Sequence, residues 1–120
     1  KCTFKDSVKT ERELIKFYQR SDFFLNQSIQ DAGPVMVNES LACGLPVLSF
    51  KIGISKDVII NNFNGFLLND ISEKNLGNKI IEISNIKKNL LAKMKNNARK
   101  TAIQNFDIKE KVKKILELIK

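Results

Sequence analysis

The sequence predicts an α/β domain: a short parallel sheet with flanking helices, followed by a helical tail. One observation is an unbroken strand, loop, helix, turn and strand between Phe23 and Phe50. A second is hydrophobic period. Short continuous apolar runs (Phe23 to Leu25, Val47 to Phe50, Phe66 to Leu68) precede residue 70, and apolar residues three and four apart follow it. The third is charge. Residues 1–70 carry eight Lys/Arg against eight Asp/Glu, whereas residues 71–120 carry thirteen against five, so the net charge of +8 lies wholly in the tail.

Each element has its own signal. Lys1 to Lys5 lacks an initiator methionine and reads as the end of a strand from a longer chain. Thr10 and Glu13 form a capping-box pattern that opens a helix ending near Arg20, with Leu14, Phe17 and Tyr18 on its apolar face. Phe17, Tyr18, Phe23 and Phe24 are expected in the core, and of these only Tyr18 has a hydroxyl to offer elsewhere. Phe23 to Leu25 reads as a strand buried on both faces, and it ends in the polar loop Asn26 to Gly33. Pro34 suits the first helical turn, where its missing N–H costs nothing. Gly44 suits the left-handed residue after a helix, and Pro46 forbids continuation. Val47 to Phe50 is then a second buried strand, parallel to the first through a right-handed crossover.

The loop Lys51 to Ser55 leaves the same edge of the sheet as Asp31, so both can line one crevice. A helical turn over 56–60 follows, and then Asn61 to Gly65, where Asn64-Gly65 is a turn pair tolerant of positive φ. Beyond the strand at Phe66, Asp70 or Ser72 caps a helix carrying Leu76, Ile80 and Ile83, which Gly77 weakens by about 1 kcal/mol relative to alanine. A second helix begins near Ile86 with Leu90, Met94 and Ala98 inward. A third begins at Asp107, where Asp107 and Glu110 resemble a capping box and Ile108, Val112, Ile115, Leu116 and Ile119 form a stripe.

Composition narrows the function. With no histidine among 120 residues, Ser–His and Cys–His nucleophilic sites are excluded and a zinc site is disfavoured. Cys2 and Cys43 have no metal-ligand spacing and read as free thiols of a reducing cytoplasm, Cys43 as a small buried residue. There is no apolar span of about 18 residues. Basic stretches are not interleaved with aromatics, which disfavours nucleic acid. The basic tail is either a solvated surface or a peripheral contact with anionic lipid.

Asp31 lies in the loop before the central helix and Glu39 eight residues on, inside it. A helix start beside the C-terminal edge of a parallel sheet is a phosphate site, which carboxylates would repel. Acids there make sense as acceptors for sugar hydroxyls, as with ribose in dinucleotide-binding folds. A glycosidase pair is the competing chemistry, but nothing in this loop-to-helix segment sets two opposed carboxylates about 5 Å or more apart.

These residues carry a family resemblance. Ser21 to Ser28, then Asp31, seven residues, Glu39, and Ser40-Leu-Ala-Cys-Gly-Leu-Pro-Val47 resemble the donor-binding signature of retaining GT-B glycosyltransferases of the group 1, family 4 type. Phe50 to Ile59 and Asn64 to Leu67 resemble its downstream elements, so the likeness spans roughly residues 10–106. It implies a Rossmann-like sheet, the second half of a GT-B C-terminal domain, with a nucleotide-sugar-binding portion at 1–70 and C-terminal helices at 71–120 of a single partial domain. It implies that Glu39 accepts hydrogen bonds from ribose hydroxyls and Asp31 from the donor sugar. Ala32, Gly33, Pro34 and Val35 then face sugar and phosphates, with Ser28 and Gln30 beside them. The co-substrate would be a nucleotide-diphosphate sugar, with no metal and no other cofactor required. The acceptor would be bound by an N-terminal domain outside this chain, so the fragment alone would be inactive. Bacterial surface polysaccharide or glycolipid synthesis, in the cytoplasm or at the inner face of the cell membrane, is the implied setting. Three positions depart from the pattern: aspartate stands at 31 where glutamate is usual, proline at 34 removes an N–H donor, and Ile54 replaces a second glycine. Asp31 and Pro34 also fit a non-catalytic nucleotide-sugar-binding or assembly module. A GT-B-fold sugar-nucleotide epimerase fits the signature less well.

Overall fold

A computed structural model describes residues 3–30 and 35–119. Among the described residues nine elements run in the order α1 (Glu11–Arg20), β1 (Phe24–Asn26), α2 (Val35–Ala42), β2 (Val47–Phe50), α3 (Ser55–Val58), β3 (Gly65–Leu68), α4 (Glu73–Ser84), α5 (Lys88–Phe106) and α6 (Ile108–Leu118). The strands form a parallel sheet in the order β1-β2-β3, with Phe24 opposite Val47 and Val47 opposite Gly65. Lys1, Cys2 and the segment 31–34 lie outside the described residues, and Thr3 to Lys9 forms no strand.

All four residues of β2 are buried, because both its edges are paired and both its faces covered. On one face Val47, Val58 and Ile59 pack with Val37 and Leu41 of α2 and Ala98 and Ala102 of α5, with Phe24 and Leu67 beside them. On the other, Leu48, Phe66 and Met94 pack with Leu76 and Ile83 of α4. β1 is only half-buried at Phe24 and Leu25, not closed on both faces as its continuous apolar run predicts. Among the described residues it is an edge strand, paired to β2 alone.

Helix ends follow their caps. The Thr10 hydroxyl accepts from the Glu13 N–H at 3.2 Å, Ser72 from Asn75 at 3.3 Å and Asp107 from Lys109 at 2.9 Å. Ser72 rather than Asp70 is thus the cap of α4. Gly44 ends α2 at φ +73°, with its N–H on the Leu41 carbonyl and the Leu45 N–H on that of Ser40, a Schellman closure. Its missing side chain also admits α5, since a Cβ there would stand 3.3 Å from the Lys95 carbonyl oxygen.

Gly65 answers to a different constraint from the one its turn pattern implies. The positive φ of this segment falls on Asn62 (+62°), and Gly65 is needed because a Cβ would lie 2.2 Å from the Val47 carbonyl oxygen of the neighbouring strand. Asn64 is fully buried. Its carbonyl oxygen accepts the Ile60 N–H at 2.7 Å, and its amide donates to the Val58 carbonyl at 2.8 Å and the Thr101 hydroxyl at 2.9 Å, fastening the turn to α5.

Three expectations of burial fail for one reason: a helical period marks an apolar face but not what covers it. Phe17 is 43% exposed, with the Lys5 ammonium 4.5 Å from its ring centre. Leu90 is exposed at the start of α5, whereas Met94 and Ala98 are buried. No residue of α6 is buried, and its stripe, including Val112 and Leu116, faces outward because α2, α5 and α4 already cover the sheet.

Candidate functional site

Because β1 and β2 are parallel, the loops after Asn26 and after Phe50 leave the same edge of the sheet. A buried polar group anchors both. The Asn26 amide donates to the Ser49 hydroxyl at 3.2 Å and its carbonyl oxygen lies 3.4 Å from the Ser28 N–H. Ser49 donates to the Phe50 carbonyl at 2.8 Å and is hydrogen-bonded to Ser55 at 3.0 Å. Asn26, Ser49 and Ser55 are all buried, and each is satisfied by these contacts. No sequence motif marks this trio. Its signal is a polar residue at the end of each of two apolar strands, and the register places Asn26 opposite Ser49.

α2 follows the first of these loops. Of the sequence-predicted site residues, Asp31, Ala32, Gly33 and Pro34 lie outside the described residues, and Val35 is the first residue of α2 and is exposed. Glu39 lies in the second turn and is half-buried. Its Oε2 accepts a hydrogen bond from the Tyr18 hydroxyl at 3.0 Å. Among the described residues its Oε1 accepts none, and the carboxylate makes no ion pair. Tyr18 is buried and meets Phe24 edge-on, with ring centres 6.1 Å apart at 84°. Burial first, and then the Glu39 carboxylate, push its phenol well above the usual range.

Two open grooves meet at Glu39. One of about 570 Å³ runs between α1 and α2, past Leu14, Tyr18 and Cys43. The other, about 400 Å³, runs between α2 and α5, past Asn38, Ala102 and Phe106. Arg99 of α5 borders both and donates to the Ala42 carbonyl at the end of α2. Cys43 is half-buried and free. Burial raises its pKa, Arg99 opposes that rise and Glu39 adds to it, which disfavours the thiolate. In the loop after β2, Gly53 has φ +48°, while Ile54 has an ordinary helical φ of −64° and packs on the core, so no glycine is needed at 54.

No group of three metal-ligating side chains occurs among the described residues. What Glu39 presents, on a residue that lines both grooves, is one oxygen fixed by a buried donor and a second that accepts no hydrogen bond among the described residues. A carboxylate so held accepts hydrogen bonds from hydroxyl groups.

The chain is similar to known proteins over most of its length. Residues 1–101 match the glycosyl transferases group 1 family. The Escherichia coli UDP-Gal:alpha-D-GlcNAc-diphosphoundecaprenol alpha-1,3-galactosyltransferase is 31% identical over 100 residues, which are 82% of this chain and 25% of that enzyme. A glycosyltransferase from Rickettsia africae superposes with a TM-score of 0.76 at 29% identity, covering 90% of this chain and 29% of that one. The C-terminal domain of a group 1 glycosyl transferase from Francisella tularensis superposes at 0.74 over 88% of this chain and 53% of that one, and at 19% identity it shows the fold alone. The chain thus spans about a quarter of the length of its E. coli relative.

Proposed function

This chain belongs to the group 1 glycosyl transferases, with the fold of a GT-B C-terminal portion, and we propose that it is the donor-binding part of a retaining, family 4 type enzyme. That enzyme moves a hexose from a nucleotide diphosphate to an acceptor hydroxyl. In this reading Glu39 accepts hydrogen bonds from the ribose hydroxyls and Asp31 from hydroxyls of the donor sugar. The backbone of Ala32, Gly33 and Val35 faces the diphosphate at the N-terminus of α2, where helix N–H groups and the dipole favour anions. Pro34 has no N–H to donate there. No metal is required: the leaving diphosphate is neutralised by that helix end and by basic side chains of a preceding segment. Residues 1–70 hold the donor, residues 71–120 buttress them, and a preceding domain binds the acceptor.

The observation that carries this reading is Glu39, standing in the helix after β1 with its Oε2 on Tyr18 and its Oε1 without a partner among the described residues. The E. coli relative, a UDP-Gal:alpha-D-GlcNAc-diphosphoundecaprenol galactosyltransferase, supports a UDP-sugar donor and a lipid-linked acceptor. In this reading the enzyme works at the cytoplasmic face of the membrane, where the exposed lysines of α6 would meet anionic headgroups.

The test is calorimetry of UDP binding to the full-length enzyme. Glu39→Gln is expected to weaken binding by about 1–3 kcal/mol, the cost of losing charge-assisted hydrogen bonds. Unchanged affinity would remove Glu39 from the donor site.

A further inference from the structure

We propose that Tyr18 is a positioning residue for the donor nucleotide, holding one oxygen of Glu39 so that the other is presented to a vicinal diol. The inference rests on the assignment of Glu39 to the ribose hydroxyls. A glutamate on a helix surface has three side-chain torsions and samples several directions. Here Tyr18 restricts them. Its ring is buried and locked edge-on against Phe24, so the hydroxyl has a fixed position. The Glu39 carboxylate 3.0 Å away is the one group to which it donates among the described residues. That leaves Oε1, which accepts nothing among the described residues, and the remaining lone pair of Oε2 on the same carboxylate, and two neighbouring hydroxyls are the donors that fit them. The ordering cost is met in the fold, before the ligand arrives.

A merely structural bond between α1 and α2 would affect all ligands alike. A positioning bond acts on the diol. The experiment compares UDP with 2′-deoxy-UDP, which lacks one of the two hydroxyls, on full-length wild type, Tyr18→Phe, Glu39→Gln and the double variant. Tyr18→Phe is expected to raise the Kd for UDP about three- to tenfold, as expected for a lost charge-assisted contact. The Kd for 2′-deoxy-UDP should change less than about twofold, and Tyr18→Phe should add nothing in the Glu39→Gln background. If Glu39→Gln shrinks the preference for UDP and Tyr18→Phe does not, the positioning role is overturned while the donor-site assignment stands. If neither variant changes the preference, the donor-site assignment itself falls. A measurement on wild type guards against a misfolded variant: the Tyr18 ring resonances should shift on saturation with UDP, and an unmoved ring overturns the role.

Discussion

The same substitution should act in opposite directions at two glycines, and the reason is visible in the packing. At Gly65 an added Cβ would lie 2.2 Å from the Val47 carbonyl oxygen, 3.0 Å from the Val47 nitrogen and 3.1 Å from a methyl of Ile59. The first two are backbone atoms, so no rotamer change relieves the contact. Restoring an ordinary separation moves β3 off β2 by about 1 Å, which opens ladder bonds worth about 1 kcal/mol each and unpacks Phe66 from Leu48. Gly65→Ala is therefore expected to cost about 3–5 kcal/mol, a large part of the 5–15 kcal/mol typical of a domain. At Gly77, within α4, nothing lies within 4 Å of the added Cβ. Gly77→Ala should stabilise by about 0.5–1 kcal/mol through helix propensity. Denaturant unfolding followed by far-ultraviolet dichroism measures both, since the chain has one tyrosine and no tryptophan. A cost below about 1 kcal/mol at Gly65 would refute the strand-contact reasoning, and any loss at Gly77 would refute the open helix surface assigned to it.

Three further outcomes are expected. Asp31→Ala should lower sugar transfer while leaving affinity for sugar-free UDP nearly intact, and equal loss of both would mark Asp31 as a helix cap instead. Tyr18 has a folded-state pKa raised above its unfolded value of about 10, so the stability it contributes is complete below pH ~10 and is lost as pH rises beyond that. Relative to Tyr18→Phe, wild type should lose about 1.4 kcal/mol per pH unit there, and a pH-independent difference between the two would contradict the buried phenol. Liposomes with anionic lipid should co-sediment with the enzyme at low salt and release it at high salt, whereas equal binding to neutral liposomes would return the α6 lysines to a solvated surface.

The centre of the fold was legible because its signals are local. Gly44 and Pro46 stop α2 wherever the rest of the chain goes, and the apolar run Val47 to Phe50 that follows them reads as a buried strand, as all four residues prove to be. What sequence reading missed depends on contacts between distant residues. Gly65 was assigned to its turn because the clash with Val47 requires the register of β2 on β3. Tyr18 was recognised as a hydroxyl in search of a partner, but the partner is 21 residues away and follows from how α1 lies on α2. The outward faces of Phe17, Leu90 and α6 have the helical period of buried stripes, and period cannot tell a covered stripe from an open one.

The excess of basic residues after position 70 likewise divides only when contacts are known. On α5, Lys95 donates to the Ser21 carbonyl at 2.9 Å and pairs with Asp22 at 3.0 Å, holding the turn between α1 and β1. Arg99 caps the Ala42 carbonyl at the C-terminal end of α2, where a cation complements the helix dipole. Both cations brace the two helices that bring Tyr18 to Glu39, so α5 belongs to the architecture of the site. Lys109, Lys111, Lys113 and Lys114 of α6 are all exposed and make no salt bridge among the described residues. A charge-reversal test of membrane contact must therefore be confined to α6. Reversing Lys95 or Arg99 would loosen α2 against α1 and α5, and a lost donor site would then be mistaken for lost membrane binding.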